Sequence, residues 1–176
     1  DPFYKGHSFR DANWFPDLAL SSKDLLHFYS QVYPNKKVDG IVTVNFKVLE
    51  DLLAVLGPVT VNGTTLDANN VFQSIQYSQN NIDRHDSEAL KNRKGLLGQI
   101  VPKIISQIIL TPGRYRDVSQ LIFAHLQSKD IALFFTDKGL QDKFAEHKMT
   151  NSFPKQKETQ DIFAVVEANL GGMKSD

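Results

Sequence analysis

Residues 38–61 constrain the fold of this chain more than any other segment. A short β-branched run, Gly40–Val44, is followed by a stretch whose apolar residues recur at steps of three and four. The run is typical of a strand buried on both faces, and the recurring apolar positions are typical of an amphipathic helix. Asn45 can cap that helix and Gly57-Pro58 can end it. A strand and a helix joined so closely predict a layered domain that contains both.

The elements predicted elsewhere agree with this class. Val59–Val61 begins a second strand that is predicted to turn at Asn62-Gly63. Ile131–Phe135 and residues 162–167 are further strand candidates, and helical patterns alternate with all of these strands. We therefore predict an α/β or α+β fold in which helices flank a mixed central sheet.

Two helices carry expectations that a structure can test. Residues 21–24 (Ser-Ser-Lys-Asp) predict the start of the first helix. The longest helical pattern covers residues 90–109, and Pro102 lies inside it. Because a proline ring clashes with the carbonyl four residues earlier, a kink or a restart is expected there. The isoleucine-rich face of this helix, residues 100–109, is a candidate surface for a protein partner.

Charge and composition exclude several classes of protein. The chain has 176 residues, of which 41% are hydrophobic and 23% charged, as in an ordinary globular domain. Its 20 basic and 20 acidic residues give a net charge of zero, which argues against broad electrostatic binding of nucleic acid. It has no cysteine, so disulfides and cysteine-based metal sites or nucleophiles are excluded. Its 5 histidines show no metal-ligand spacing.

Both ends of the sequence suggest a piece of a larger protein. The chain opens on Asp1-Pro2, without an initiator methionine or a signal peptide, and closes directly after a predicted strand. No run approaches the roughly 20 apolar residues needed to cross a bilayer. We therefore expect residues 1–176 to be a single domain from a longer chain, in which a membrane anchor lies upstream.

Three segments carry a resemblance to a known family. They are residues 8–14 (Ser-Phe-Arg-Asp-Ala-Asn-Trp), residues 38–61, and residues 169–176 (Asn-Leu-Gly-Gly-Met-Lys-Ser-Asp). On these segments, which occur in the same order over nearly the whole chain, the protein resembles the bacterial domain-of-unknown-function family 4012. The resemblance implies an extracellular domain of a membrane-anchored cell-envelope protein, with a binding or scaffolding role.

The same order of segments is more remotely similar to the LytR–CpsA–Psr phosphotransferases. That family attaches polymers carried on polyprenyl pyrophosphate to the bacterial cell wall. Residues 8–11 are one residue shorter than its Ser-x-x-Arg-Asp motif. Residues 39–46 fit its Asp-x-x-x-x-Val-Asn-Phe segment, and residues 57–61 fit its Gly-Gly-Val-x-Val segment with Pro58 in place of a glycine. The similarity implies the LytR–CpsA–Psr fold, truncated here at both ends.

The second resemblance implies a site made of Arg10, Arg84 and Arg93, with Asp11 beside it. In that family arginines bind the pyrophosphate and aspartates hold Mg²⁺, and these four residues would take the same roles here. Arginine suits a pyrophosphate because its planar, permanently charged guanidinium donates two hydrogen bonds at once. In the alternative interpretation each arginine pairs with a nearby acid, and Asp11 caps the turn before Trp14.

Three functions remain open at this point. The first is a non-catalytic extracellular domain that binds or scaffolds at the cell surface. The second is a Mg²⁺-dependent phosphotransferase that acts on glycans linked to polyprenyl pyrophosphate. The third is a protein-interaction module that uses residues 100–109. The expected partner is a polyprenyl-phosphate lipid or a cell-wall glycan. Nucleic acid is not expected, and the membrane is expected only through the upstream anchor.

Overall fold

A computed structural model describes residues 17–80 and 95–152, together with Phe9, Ala12 and Phe15. The helices are α1 (Leu18–Val32), α2 (Phe46–Leu56), α3 (Val71–Asn80), α4 (Gly95–Leu110), α5 (Tyr115–Ser128) and α6 (Lys138–Glu146). The strands are β1 (Gly40–Val44), β2 (Val59–Val61), β3 (Thr64–Leu66) and β4 (Ile131–Phe135). A single 3₁₀ turn, Pro112–Arg114, joins α4 to α5. The predicted mixture of helices and short strands is confirmed.

The described strands form two antiparallel ladders. β1 pairs with β4, with Gly40 opposite Phe135, and β2 pairs with β3, with Val59 opposite Leu66. The mixed central sheet that we expected differs from this arrangement, since each ladder within the described ranges has two strands. The strand predicted over residues 162–167 lies outside the described residues.

The chain divides into two compact units. Among the described residues, unit 1 includes residues 17–44 and 126–152, and unit 2 includes residues 45–80 and 95–125. The β1–β4 ladder belongs to unit 1, and the β2–β3 hairpin belongs to unit 2. The expectation that residues 1–176 are a single domain stays a prediction.

In unit 1, helices α1 and α6 pack against β4. The Asp17 carboxylate caps α1 and accepts hydrogen bonds from the backbone N–H groups of Ala19 (2.8 Å) and Leu20 (3.2 Å). This cap satisfies donors that the first helical turn cannot pair, so the helix begins earlier than predicted. Ser21 and Ser22, which we expected to start the helix, are instead completely buried within it.

The prediction that β1 is buried on both faces is wrong. Val42 and Val44 are 62% and 58% exposed, whereas Ile41 and Thr43, on the other face, are partly buried. Successive side chains of a strand point to opposite faces, and an antiparallel ladder can leave one of its faces open. A continuous apolar run is usual for a strand of a parallel sheet, where both faces are buried. β1 instead pairs with β4 in the antiparallel direction, so one of its faces can stay exposed.

In unit 2, the local signals predicted from the sequence are confirmed. The Asn45 side chain caps α2 and accepts a hydrogen bond from the Lys47 backbone N–H at 2.6 Å. The helix ends at Gly57, whose φ of 90° lies in the left-handed region that favours glycine. Asn62 and Gly63 have φ values of 50° and 80°, as a two-residue hairpin turn with two left-handed residues requires.

Helices α2, α3 and α4 and the hairpin form the core of unit 2. Its most deeply buried apolar residues are Val48, Leu53, Val61, Leu66, Val71, Ile75 and Ile100. Helix α4 runs through Pro102 without a restart, although one was a possible outcome of the sequence pattern. Pro102 and Gly98 lie on the exposed side of α4, where water can satisfy a carbonyl that proline leaves unpaired.

No single helix within residues 17–80 and 95–152 has both the length and the apolar character to cross a bilayer. Helix α4 and the segment Pro112–Ser128 meet that requirement only when taken together, and they are bent by 92° relative to each other.

Candidate ligand-binding groove

An open groove with a volume of about 510 Å³ lies in unit 2. It is bordered by the β2–β3 hairpin, by α3 and by the first turn of α4. The described residues that line it are Val61, Asn62, Thr64, Gln73, Ser74, Tyr77, Ser78 and Leu96. Polar side chains from two elements therefore face one space.

A hydrogen-bonded turn fixes α3 against the hairpin. The Asp67 carboxylate accepts hydrogen bonds from the backbone N–H groups of Asn69 (2.8 Å) and Asn70 (3.0 Å). The Asn70 side chain accepts a hydrogen bond from the Asp67 N–H at 3.0 Å and donates one to the Thr65 carbonyl at 3.1 Å. Because these bonds connect the end of β3 to the start of α3, the hairpin and the helix hold a fixed position relative to each other.

The buried face of α3 determines which of its residues reach the groove. Val71 and Ile75 are almost completely buried, and they lie four residues apart on one face. The ring of Phe72 meets the ring of Phe46 edge to face, with centroids 5.3 Å apart. Anchored on this side, α3 presents its other face to the groove. Tyr77 on that face is 71% exposed.

The groove is neutral along its described lining. Amide groups come from Asn62 and Gln73, and hydroxyl groups come from Thr64, Ser74, Ser78 and Tyr77. The Ser78 hydroxyl donates a hydrogen bond to the Ile75 carbonyl at 2.8 Å, which leaves its oxygen free to accept one. Leu96 adds apolar surface, and the buried Val61 lies at the inner side of the groove. Such a lining can bind a polar, uncharged ligand that also has an apolar face.

The site predicted from the sequence lies outside the described residues. Arg10, Asp11, Arg84 and Arg93 all fall in that part of the chain, so pyrophosphate binding by the arginines and Mg²⁺ binding by Asp11 stay predictions. Within residues 17–80 and 95–152, no group of three or more histidine, aspartate or glutamate side chains is placed to hold a metal ion.

Two polar contacts away from the groove involve charged or titratable groups. In unit 2 the imidazole of His125 is almost completely buried, and its Nε2 lies 3.2 Å from the Asp51 carboxylate. In unit 1 the Lys129 ammonium donates hydrogen bonds to the carbonyls of Lys148 and Thr150. Burial of Lys129, followed by repulsion from Lys148, lowers the pKa of the Lys129 side chain. Both contacts join segments of one unit, and we assign them a structural role.

The groove was not predicted from the sequence. One signal was present in the helical pattern of α3, because Tyr77 lies off the apolar face formed by Val71 and Ile75. A large aromatic residue on the polar side of an amphipathic helix indicates a contact surface. The hairpin residues that complete the groove, Asn62 and Thr64, carried only a turn signal.

The fold and the groove define a small mixed α/β protein with an open groove whose described lining is uncharged. Residues 1–79 match the model of a family described as Protein of unknown function (DUF4012). This match supports the first resemblance over residues 1–79, and the closing segment, residues 169–176, lies outside it. The match includes the hairpin and most of α3, and it ends before Leu96. No curated protein and no solved structure matches the chain. The similarity to the LytR–CpsA–Psr phosphotransferases stays a prediction.

Proposed function

We propose that this chain is a non-catalytic binding domain of a bacterial cell-envelope protein, and that its groove binds a neutral glycan of the cell wall. The observation that carries the proposal is the combination of an exposed tyrosine, Tyr77, with amide and hydroxyl groups in one open groove. The extracellular location is supported by the family resemblance of the sequence.

The chemistry of the lining matches the chemistry of a sugar ring. A pyranose ring has a C–H face that packs on an aromatic side chain, and its hydroxyl and acetamido groups both donate and accept hydrogen bonds. Tyr77 supplies the aromatic surface, and the amides of Asn62 and Gln73 can each donate and accept. Tyrosine suits this role because its rigid ring offers a large contact area at a small cost in conformational entropy.

The charge and shape of the groove also favour a polymeric, uncharged ligand. Its described lining has no cationic side chain to balance a phosphate or a carboxylate, so a neutral ligand is favoured. The groove is open to solvent, and a residue in the middle of a glycan chain can therefore lie in it while the chain extends at both ends. An enclosed pocket would admit only a chain end.

The test is a binding titration with the N-acetylglucosamine tetramer, a neutral soluble probe. Binding is measured by NMR or by calorimetry. Tyr77→Ala should weaken binding about tenfold, because the aromatic packing surface is lost. Tyr33→Ala is the matched control, since Tyr33 is an exposed tyrosine on the other unit. It should leave the affinity unchanged.

Two results would contradict the proposal. One is equal weakening by Tyr77→Ala and Tyr33→Ala, because the effect would then not depend on the groove. The other is an absence of tetramer binding by a chain that does bind a short polyprenyl pyrophosphate. That result would favour the phosphotransferase predicted from the sequence, with Arg10, Arg84 and Arg93 as the residues to substitute next.

A further inference from the structure

Helix α4 has apolar side chains on two of its faces. Ile100 and Ile104 are buried against the core of unit 2. Val101, Ile105 and Ile109 recur at steps of four on a second face, where Ile105 is 52% and Ile109 63% exposed. Isolated apolar residues are normal on a protein surface, but a continuous row along one helix is typical of a contact surface.

Further apolar residues are exposed around the end of the helix. Leu110, the last residue of α4, is 79% exposed. Tyr115 follows at the start of α5, is also exposed, and donates a hydrogen bond from its hydroxyl to the Ile109 carbonyl at 3.0 Å. We call Val101, Ile105, Ile109 and Leu110 the α4 stripe.

Cations outnumber acids in the segment that carries the α4 stripe. Residues 95–117 contain Lys103, Arg114 and Arg116 as cations and Asp117 as their one acidic residue. Arg114 pairs with Asp117 at 3.2 Å, whereas Lys103 and Arg116 make no ion pair among the described residues. An exposed apolar row on a segment with a net positive charge is therefore the feature that a partner must match.

We propose that the α4 stripe binds an anionic lipid surface. Isoleucine and leucine side chains can enter the boundary between headgroups and acyl chains, while lysine and arginine interact with lipid phosphates. Tyr115 fits this zone, since tyrosine is enriched where one end of a side chain is apolar and the other is hydrated. A second copy of the chain is disfavoured as the partner because it would bring the same cations close together.

The helix needs no ordering to bind in this way. Ile100 and Ile104 hold α4 against the core, and the Gln107 side chain donates a hydrogen bond to the Leu56 carbonyl at 3.0 Å. The α4 stripe is therefore already displayed in the free protein, and the entropy cost of folding a helix on the membrane is avoided. The proposal does not depend on the glycan groove, which uses other residues.

The test is co-sedimentation of the 176-residue chain with vesicles of phosphatidylcholine, alone or with phosphatidylglycerol added. Binding should require phosphatidylglycerol. The double variant Ile105→Asn/Ile109→Asn should lower the vesicle partition coefficient at least about tenfold, because the inserted apolar surface is lost. Val32→Asn, at an exposed apolar position of α1, should leave it unchanged.

The charge contribution can be measured separately. Lys103→Gln should weaken binding about fivefold, and the effect should shrink as salt is added. Lys23→Gln, at an exposed lysine of α1, is the control that should have little effect. Circular dichroism spectra and thermal unfolding midpoints should be the same in all of these variants, which shows that they remain folded whether or not the groove binds a glycan.

Three results would overturn the proposal. The first is no binding to vesicles that contain phosphatidylglycerol, and the second is equal binding to vesicles that lack it. The third is a dimer of the wild-type chain, measured by light scattering, that Ile105→Asn/Ile109→Asn converts to a monomer. That outcome would assign the α4 stripe to a second copy of the chain.

Discussion

In the β2–β3 hairpin, Val61 and Leu66 are almost completely buried, whereas in the β1–β4 ladder Val42 and Val44 are exposed to solvent. Both ladders are antiparallel, short and rich in β-branched residues. They differ in what packs on them. Helix α4 packs on β2, while α1 and α6 pack on β4. The residues of a strand therefore do not by themselves decide whether the strand is buried. Burial also depends on whether a helix packs on that strand.

The two ladders also differ in how far apart their strands lie in the sequence. A two-residue turn closes the hairpin, whereas the β1–β4 ladder pairs Gly40 with Phe135 across most of the chain. The loop-closure entropy of the second ladder is larger, and its pairing depends more on tertiary packing. Substitutions in the two ladders should separate these contributions.

The largest effect is expected at the buried end of the hairpin. Leu66→Ala removes a completely buried side chain and should lower the free energy of unfolding by about 2–5 kcal/mol. Val42→Ala, at an exposed position of β1, should change it by less than about 0.5 kcal/mol. Urea denaturation of both variants gives the comparison. Similar losses would mean that Val42 is as well packed as Leu66, contrary to the structure.

The next effect is expected where the β1–β4 ladder begins. A Cβ atom at Gly40 would lie 2.6 Å from the Phe134 carbonyl oxygen, so Gly40→Ala forces the two strands apart. We expect a loss of about 1–3 kcal/mol in the free energy of unfolding. Gly113→Ala is the control, because a Cβ there meets no atom within 4 Å. Equal stabilities of the two variants would show that the strands adjust without cost.

A smaller effect is expected in the hairpin turn. Gly63 has a φ of 80°, and a Cβ there would meet no atom within 4 Å. The cost of Gly63→Ala therefore comes from holding alanine in the left-handed backbone region and not from a clash with neighbouring residues. A loss of about 1 kcal/mol is expected. Gly63→Asn should recover most of it, since asparagine tolerates the left-handed region. Thermal unfolding of the two variants checks this, and a less stable asparagine variant would contradict it.

The smallest effect is a pH dependence near the start of β4. In the folded protein, burial and a smaller repulsion from Lys148 lower the pKa of Lys129 below its ordinary value of 10.5. Between the lowered pKa and 10.5, the unfolded chain binds more protons than the folded chain, so this group makes stability rise with pH across that window. Lys129→Met should remove this rise. Urea midpoints measured for both proteins at alkaline pH test it, and parallel profiles would contradict it.

The parts of the fold that were predicted correctly depend on neighbours in sequence. Asn45 caps α2, Gly57 ends it, and Asn62-Gly63 turns the hairpin, and each role follows from the chemistry of one or two residues. The start of α1 was predicted too late because Asp17 caps it and Ser21 lies inside it. Either residue type can cap a helix, and only the contacts of the folded chain distinguish them.

The candidate site was less accessible from sequence. The polar lining of the groove joins α3 to the hairpin, and its residues show no catalytic or metal-ligand spacing. The predicted pyrophosphate and Mg²⁺ residues came from a family resemblance, and they lie outside the described residues. The α4 stripe was partly predicted, since the isoleucine-rich face of residues 100–109 was a candidate contact surface. The structure divides that face into a buried and an exposed part.

Local sequence was enough to predict most helices, the cap of α2, the hairpin turn and the resemblance of residues 1–79 to the matched family, because each depends on local propensity or on the order of short segments. Tertiary structure alone decided that β1 pairs with β4, that one face of β1 is exposed, and which side of α4 meets the core. Apolar residues favour burial without specifying a partner. The partner is selected by packing between segments far apart in the chain.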